Sequence, residues 1–150
     1  MRRSDRAVVA EEARYLLETA EYGVLSMASS DGVPYGIPLN FAFMRDCIYF
    51  HCAPEGKKID LLSANRKVSF CVVGKTEVMS EKFGTKYESV VAVGIVEELF
   101  EKDKREGLVL LLRKYSPDYI EEGLKYIDKL FDKTKVFRIC LESITGKARK

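Results

Sequence analysis

The chain has 150 residues, of which 47% are hydrophobic and 32% charged, a composition typical of one globular domain with a single core. Its 25 basic and 23 acidic residues give a formal net charge of +2, which excludes a global attraction to nucleic acid or membrane. The sequence contains no apolar run near the ~20 residues that span a bilayer, and its basic start lacks the apolar segment of a signal peptide. We therefore predict a cytoplasmic protein in which any anion binds at a local site.

The first half of the chain reads as one helix followed by three strands. Apolar residues share one helical face over residues 10–22, and Gly23 is a stop signal. Turn residues at 30–32 and 45–46 separate short runs rich in β-branched and aromatic side chains. The strands predicted here are 24–28, 35–43 and 47–52.

The second half begins with a short helix at 57–64 and a strand at 68–73, followed by a polar stretch at 75–85 that we predict to be irregular. A long strand follows at 87–99, with a bend or bulge at Gly94. Helices are predicted at 104–115 and, after the restart signal Ser116-Pro117, up to about residue 131. A sixth strand covers 135–143, and the basic residues 145–150 are expected to form a solvated tail.

Six strands with only short helices between them favour an antiparallel barrel or sandwich over a parallel sheet. A small closed barrel fits best, because closure removes exposed strand edges. We find no repeat and no break in composition, so residues 1–150 are predicted to be one domain.

The cysteines and the histidine give little sign of a metal site. The four cysteines form no C-x-x-C pair, and His51 is the only histidine. Cys71 and Cys140 lie in apolar runs, where we expect small buried side chains rather than disulfide partners.

The most informative stretch runs from His51 to Asp60, where a strand ends, Gly56 allows a sharp turn, and a helix begins with Lys57 and Lys58. A helix N-terminus favours anions, so two lysines are inconsistent with it unless a negative ligand lies there. One interpretation is a phosphate site. The other is a solvated, lysine-rich first turn, and pattern alone leaves both open.

The chain resembles the pyridoxamine 5′-phosphate oxidase-related FMN-binding split barrels, and within them the nitroimidazole-resistance (Nim-type) proteins. The similar segments keep family order and cover nearly the whole chain. They are residues 38–41, 48–60, 65–68, 87–94 and 144–148.

The resemblance implies a mainly β fold, a six-stranded antiparallel split β-barrel with short flanking helices, that binds FMN between two subunits of a homodimer. It implies that Lys57 and Lys58 pair with the phosphate and that Ser89 approaches from the neighbouring strand. The residues that it places against the cofactor are Pro38, Leu39, Asn40, His51, Cys52, Ala53, Lys57, Lys58 and Ser89. The basic residues that grip the substrate phosphate in the oxidases cannot be placed on 145–150, so oxidation of pyridoxamine phosphate is not expected.

The leading hypothesis is an FMN-dependent oxidoreductase that acts on a small molecule, by resemblance a nitroaromatic compound, with His51 as the candidate catalytic residue. One alternative is a flavin-binding protein without turnover, serving storage or sensing. Another is a haem-binding split barrel in which His51 ligates iron. A nucleic-acid-binding barrel is disfavoured, because the sequence lacks a basic and aromatic strand face.

Overall fold

The computed structural model describes residues 3–150, which form one seven-stranded antiparallel sheet and four α-helices. The strands are β1 (Gly23–Ala28), β2 (Pro34–Leu39), β3 (Ala42–Met44), β4 (Cys47–Cys52), β5 (Lys67–Met79), β6 (Gly84–Leu99) and β7 (Lys135–Arg149). The helices are α1 (Ala10–Thr19), α2 (Lys57–Ala64), α3 (Glu101–Tyr115) and α4 (Ile120–Leu130).

The sheet curls into a barrel because its two edges belong to one stretch of chain. The strand order is β2-β1-β5-β6-β7-β4-β3, and only Asn40 and Phe41 separate the edge strands β2 and β3. The sheet must therefore bend until its edges meet. The predicted fold class is confirmed.

The predicted count of six strands is wrong by one, because the single strand expected over 35–43 is interrupted. The Phe41 side chain is fully buried, and its backbone N–H donates to the Tyr115 hydroxyl oxygen instead of pairing with a neighbouring strand. The interruption divides the expected strand into β2 and β3.

The long hairpin of β5 and β6 corrects a second prediction. Residues 75–79 were expected to be irregular, but β5 continues through them, and Thr76 to Met79 pair with Tyr87 to Gly84. The ladder shifts register between Val73 and Thr76, which marks an irregularity in the hairpin. Polar side chains are tolerated here because cross-strand backbone bonds, rather than core burial, hold this part of the strand.

The C-terminal residues are a strand rather than the predicted solvated tail. β7 continues to Arg149, which pairs with Tyr87, and Lys150 Nζ lies 2.9 Å from Glu12 Oε1. The 16-residue β6 offers a backbone edge along its whole length, and the chain end occupies it. The predicted bulge at Gly94 is confirmed, because the β6–β7 register shifts between Val93 and Gly94.

The barrel interior is filled by inward-facing side chains of all the long strands. Phe41 meets Phe70 edge-on at 4.8 Å between ring centroids, and Phe50 stacks on Phe137 at 5.4 Å. α1 and α2 add buried leucines to this core, whereas α3 packs on the outer side of β4 and β7 around Tyr49. Across residues 3–150, none of the helices is long and apolar enough to cross a membrane.

Candidate functional site

The turn before α2 requires glycine. Gly56 has a φ of 127°, and its carbonyl oxygen accepts the N–H groups of Ile59 at 2.9 Å and Asp60 at 3.2 Å. A Cβ atom at Gly56 would meet nothing within 4 Å, so backbone conformation rather than space restricts this position. The N–H groups of Lys57 and Lys58 have no partner inside the helix, and no side chain caps α2. This end of α2 can therefore accept an anion.

The two lysines at the start of α2 reach in different directions. Lys57 Nζ lies 4.1 Å from the ring centroid of Tyr35 on β2, and Lys58 Nζ lies 5.9 Å from that of Phe50 on β4. Among residues 3–150, none of the ion pairs includes either lysine. The two positive charges are thus held on the barrel by aromatic rings and left without a carboxylate.

His51 lies at the end of β4, where it pairs with Val136, and its side chain is exposed at the rim. Desolvation by neighbouring protein atoms, and then the charge of Lys58, lower its pKa below the ordinary value of 6.5. The imidazole is therefore neutral at pH 7, able to donate one hydrogen bond and accept another. Burial raises the pKa of the Cys52 thiol, so Cys52 is an ordinary half-buried thiol, and Ala53 follows it in the exposed connection to α2.

The end of β2 supplies the next group of predicted residues. Pro38 and Leu39 pair with Val24 and Gly23 of β1, and Asn40 is the exposed residue that follows. A proline can occupy this position because β2 is an edge strand. The backbone of Asn40 is consequently free of the β1–β2 ladder.

Asn40 and His51 share one cavity of about 310 Å³. Its other walls come from α3 and α4 and are mainly apolar, with a few polar groups. They comprise Leu108, Leu111, Leu112, Tyr115, Ser116, Gly123, Tyr126, Ile127, Leu130 and Thr134. An apolar cavity with a few polar groups is the usual form of a small-molecule site.

Two side chains at the end of α3 hold the connection between β2 and β3 in place, a contact that was not predicted from the sequence. The Phe41 N–H donates to Tyr115 Oη at 3.0 Å, and Tyr115 Oη donates to the Glu21 carbonyl oxygen at 2.5 Å. Lys114 Nζ donates to the Ala20 carbonyl oxygen at 2.7 Å and lies 4.0 Å from the Phe41 ring centroid. Because 74 residues separate Tyr115 from Phe41, no local pattern reveals the contact. Only the position of Tyr115, directly before a Ser-Pro restart, draws attention to it.

Ser89 is not brought to the other predicted residues within one chain. It pairs with Val73 and Lys147 on the outward side of the sheet. Four residues that pair in register form a row across β2, β1, β5 and β6: Gly36, Ser26, Ser69 and Val93. At one end of this row, Gly36 adjoins Tyr35, whose ring Lys57 contacts. At the other end, Ser89 lies four residues from Val93 along β6, which is about 13 Å at ~3.3 Å per residue.

Metal-ligating groups are not clustered in the part of the chain that the structure describes. Residues 3–150 contain no group of three or more His, Cys, Asp or Glu side chains that could hold a metal ion.

Several solved structures share the fold of this chain. The chain is 25% identical to a candidate 5-nitroimidazole antibiotic resistance protein from Bacteroides thetaiotaomicron, covering 95% of this chain and 86% of that one, with a TM-score of 0.82. It is 30% identical to an FAD-binding protein from Mesorhizobium loti, covering 97% and 98% of the two chains, with a TM-score of 0.66. An FAD- and haem-binding protein from Mycobacterium smegmatis, 17% identical, shares the fold over 95% of this chain and 72% of its own, with a TM-score of 0.78.

The barrel and the cluster at its rim thus define a split-barrel protein of the kind predicted from the sequence. A sequence model of the family described as pyridoxamine 5′-phosphate oxidase matches residues 9–148. The chain belongs to this family, and within it the resemblance to nitroimidazole-resistance proteins is supported. No curated protein matches the chain.

Proposed function

We propose that this protein binds FMN, with the phosphate at the start of α2 and the flavin ring along Asn40, and acts as an oxidoreductase. One observation carries the proposal. Lys57 and Lys58 stand beside a helix turn with free N–H groups, and the ion pairs among residues 3–150 include neither lysine. An anion bound at this turn would gain charge-assisted hydrogen bonds from the lysines as well as bonds from the free N–H groups.

The residues around this point fit the rest of such a ligand. FMN, when bound, carries the electron transfer, while the protein supplies binding and orientation. Asn40 offers its side-chain amide and its backbone to the polar edge of a flat ring. His51, neutral at pH 7 because desolvation by nearby protein atoms and the charge of Lys58 lower its pKa, offers one ring N–H and one acceptor nitrogen beside it. The adjoining cavity offers mainly apolar walls from α3 and α4.

Ser89 points to a site shared by two copies of the chain. It lies outward on the sheet, away from Lys57 and Lys58 of its own chain, in a patch with Val73 and Val91, which are 59% and 40% exposed. We propose that this patch meets a second copy, so that Ser89 reaches the flavin held by the other subunit. Sedimentation of the holo-protein at low concentration tests this, with a dimer that FMN strengthens as the expected result. A stable FMN-bound monomer would contradict it.

The lysine variants test the phosphate site. A charge-assisted hydrogen bond contributes about 1.5–3 kcal/mol, so Lys57→Ala or Lys58→Ala should weaken FMN roughly ten- to a hundredfold. Riboflavin, which lacks the phosphate, should bind the variants almost as it binds wild type. The matched control is Lys125→Ala, which removes an exposed α4 lysine paired with Glu121. Normal FMN affinity in both α2 variants would make these lysines a solvated first turn.

A nitroaromatic electron acceptor is the second part of the proposal. It is supported by the likeness to the Bacteroides thetaiotaomicron protein and by the 310 Å³ cavity beside His51. Chemically reduced holo-protein, mixed with a nitroimidazole without oxygen, should be reoxidised faster than free reduced FMN. His51→Ala should slow this step and leave FMN content near normal. An equal rate for the protein and free FMN would favour a storage or sensing role, and a haem spectrum in the purified protein would favour the haem alternative.

A further inference from the structure

Two cysteines lie opposite each other on neighbouring strands, outside the candidate flavin site. Cys47 is the first residue of β4, and it pairs in register with Cys140 of β7. Both thiols are free and half-buried. Each comes from a different half of the chain, so the sequence gives no hint that they meet.

The ladder fixes how close they come. The neighbouring pair is joined by the Leu141 N–H, which donates to the Asp46 carbonyl oxygen at 3.1 Å. Hydrogen-bonded and non-hydrogen-bonded pairs alternate in an antiparallel ladder, so Cys47 and Cys140 form a non-hydrogen-bonded pair. The Cα atoms of such a pair are about 4.5 Å apart, within the roughly 4.4–6.8 Å that a disulfide spans.

The surroundings give the two thiols different characters. The Cys140 thiol donates to Glu97 Oε1 at 3.5 Å, and Arg138 Nε holds the same carboxylate oxygen at 2.8 Å. Burial, followed by the charge of Cys140 and a hydrogen bond with it, raises the pKa of Cys47 to about 11. Cys47 is therefore a thiol at neutral pH, in hydrogen-bond contact with the Cys140 sulfur.

We propose that Cys47 and Cys140 form a reversible disulfide when the protein meets hydrogen peroxide. One of the two sulfurs attacks a peroxide oxygen, the O–O bond breaks, one water leaves, and that cysteine becomes a sulfenic acid. The second sulfur then attacks the first, the S–S bond forms, and the hydroxyl leaves as a second water with the proton of the attacking thiol. Two thiols and one peroxide thus give one disulfide and two waters, and a dithiol reductant reverses the reaction.

Peptide mapping of the native protein tests the proposal. Purified protein is treated with a small molar excess of hydrogen peroxide, alkylated and digested, and the masses of its peptides are measured by mass spectrometry. The expected product is a pair of peptides joined through Cys47 and Cys140. Its mass is lower by two hydrogen atoms than the sum of the two reduced peptides, and dithiothreitol separates it into them. Cys71, the matched control on β5, should remain free for alkylation. Because the bridge joins strands already in register, it should raise the Tm by roughly 5–15 °C.

Variants distinguish this bridge from other oxidation. Cys47→Ser and Cys140→Ser should each abolish the linked peptide and the rise in Tm, whereas Cys71→Ser should keep both. Wild-type protein in which Cys47 and Cys140 stay free, are oxidised to sulfinic acid, or link to other cysteines or another chain would overturn the proposal. The mapping of wild type decides the matter even where a serine variant folds poorly.

Discussion

The Tyr115 hydroxyl joins three parts of the chain, and Tyr115→Phe removes it without altering the ring. It accepts the Phe41 N–H and donates to the Glu21 carbonyl, and we call these two hydrogen bonds the Tyr115 clamp. Burial raises the pKa of Tyr115, so the hydroxyl stays protonated at neutral pH and the donation to Glu21 persists. The variant leaves the part-buried Phe41 N–H without its partner, which costs about 1–3 kcal/mol. In a chain of this length, each kcal/mol lowers the Tm by roughly 2–4 °C.

Denaturant and thermal unfolding, followed by circular dichroism, measure the effect. The control is Tyr126→Phe, because Tyr126 lines the same cavity but is 65% exposed and its hydroxyl can bond to water. Tyr115→Phe should lose stability and should also bind FMN severalfold more weakly, since the Asn40–Phe41 connection loosens. Equal stability of the two variants would refute the structural role of the clamp. A destabilised Tyr115→Phe variant with unchanged FMN affinity would show that the clamp does not position the flavin site.

Two further predictions concern a lysine and a glycine. Burial lowers the pKa of Lys114 to about 8, so between about pH 8 and the ordinary 10.5 the unfolded state binds more protons at this side chain, and the contribution of Lys114 to stability should rise with pH across that window. In Lys114→Met this rise should be absent, and an identical pH profile for the two proteins would contradict the assignment. A Cβ atom at Gly94 would lie 2.2 Å from the Cys140 carbonyl oxygen, whereas at Gly36 the nearest atom is 3.6 Å away. Gly94→Ala should therefore lower the free energy of unfolding by about 1–3 kcal/mol, and Gly36→Ala should lower it much less. Equal denaturation midpoints for the two variants would argue against the close approach at the bulge.

Local patterns predicted most of the fold where a signal lies within a few residues. The strand that became β4, the α2 helix and the Gly94 bulge follow from a run rich in β-branched and aromatic side chains, a glycine turn and a glycine inside a strand. The predictions failed where a distant partner decides the structure. β7 extends to Arg149 because β6 provides an edge for it, and the predicted strand breaks at Phe41 because the Tyr115 hydroxyl accepts its backbone N–H.

In the candidate site, too, local features could be predicted from the sequence and contacts between distant residues could not. Gly56 and the two lysines form a local inconsistency that the sequence displays by itself, and the structure places them at one end of the barrel. The Tyr115 clamp joins residues far apart in the chain and could not be predicted from spacing. Ser89 was assigned by resemblance alone, and its distance from the lysines is what directs attention to a second subunit.

The phosphate anchor at the start of α2 is the central claim, and flavin affinities measure it directly. Protein stripped of any bound cofactor is titrated with FMN, riboflavin and FAD, and binding is followed by the quenching of flavin fluorescence. FMN should bind at least tenfold more tightly than riboflavin, because only FMN brings a terminal phosphate to Lys57 and Lys58. FAD should bind more weakly than FMN, because its second phosphate and adenosine have no glycine-rich dinucleotide loop to receive them. Equal affinity for riboflavin and FMN, or a preference for FAD, would contradict the account.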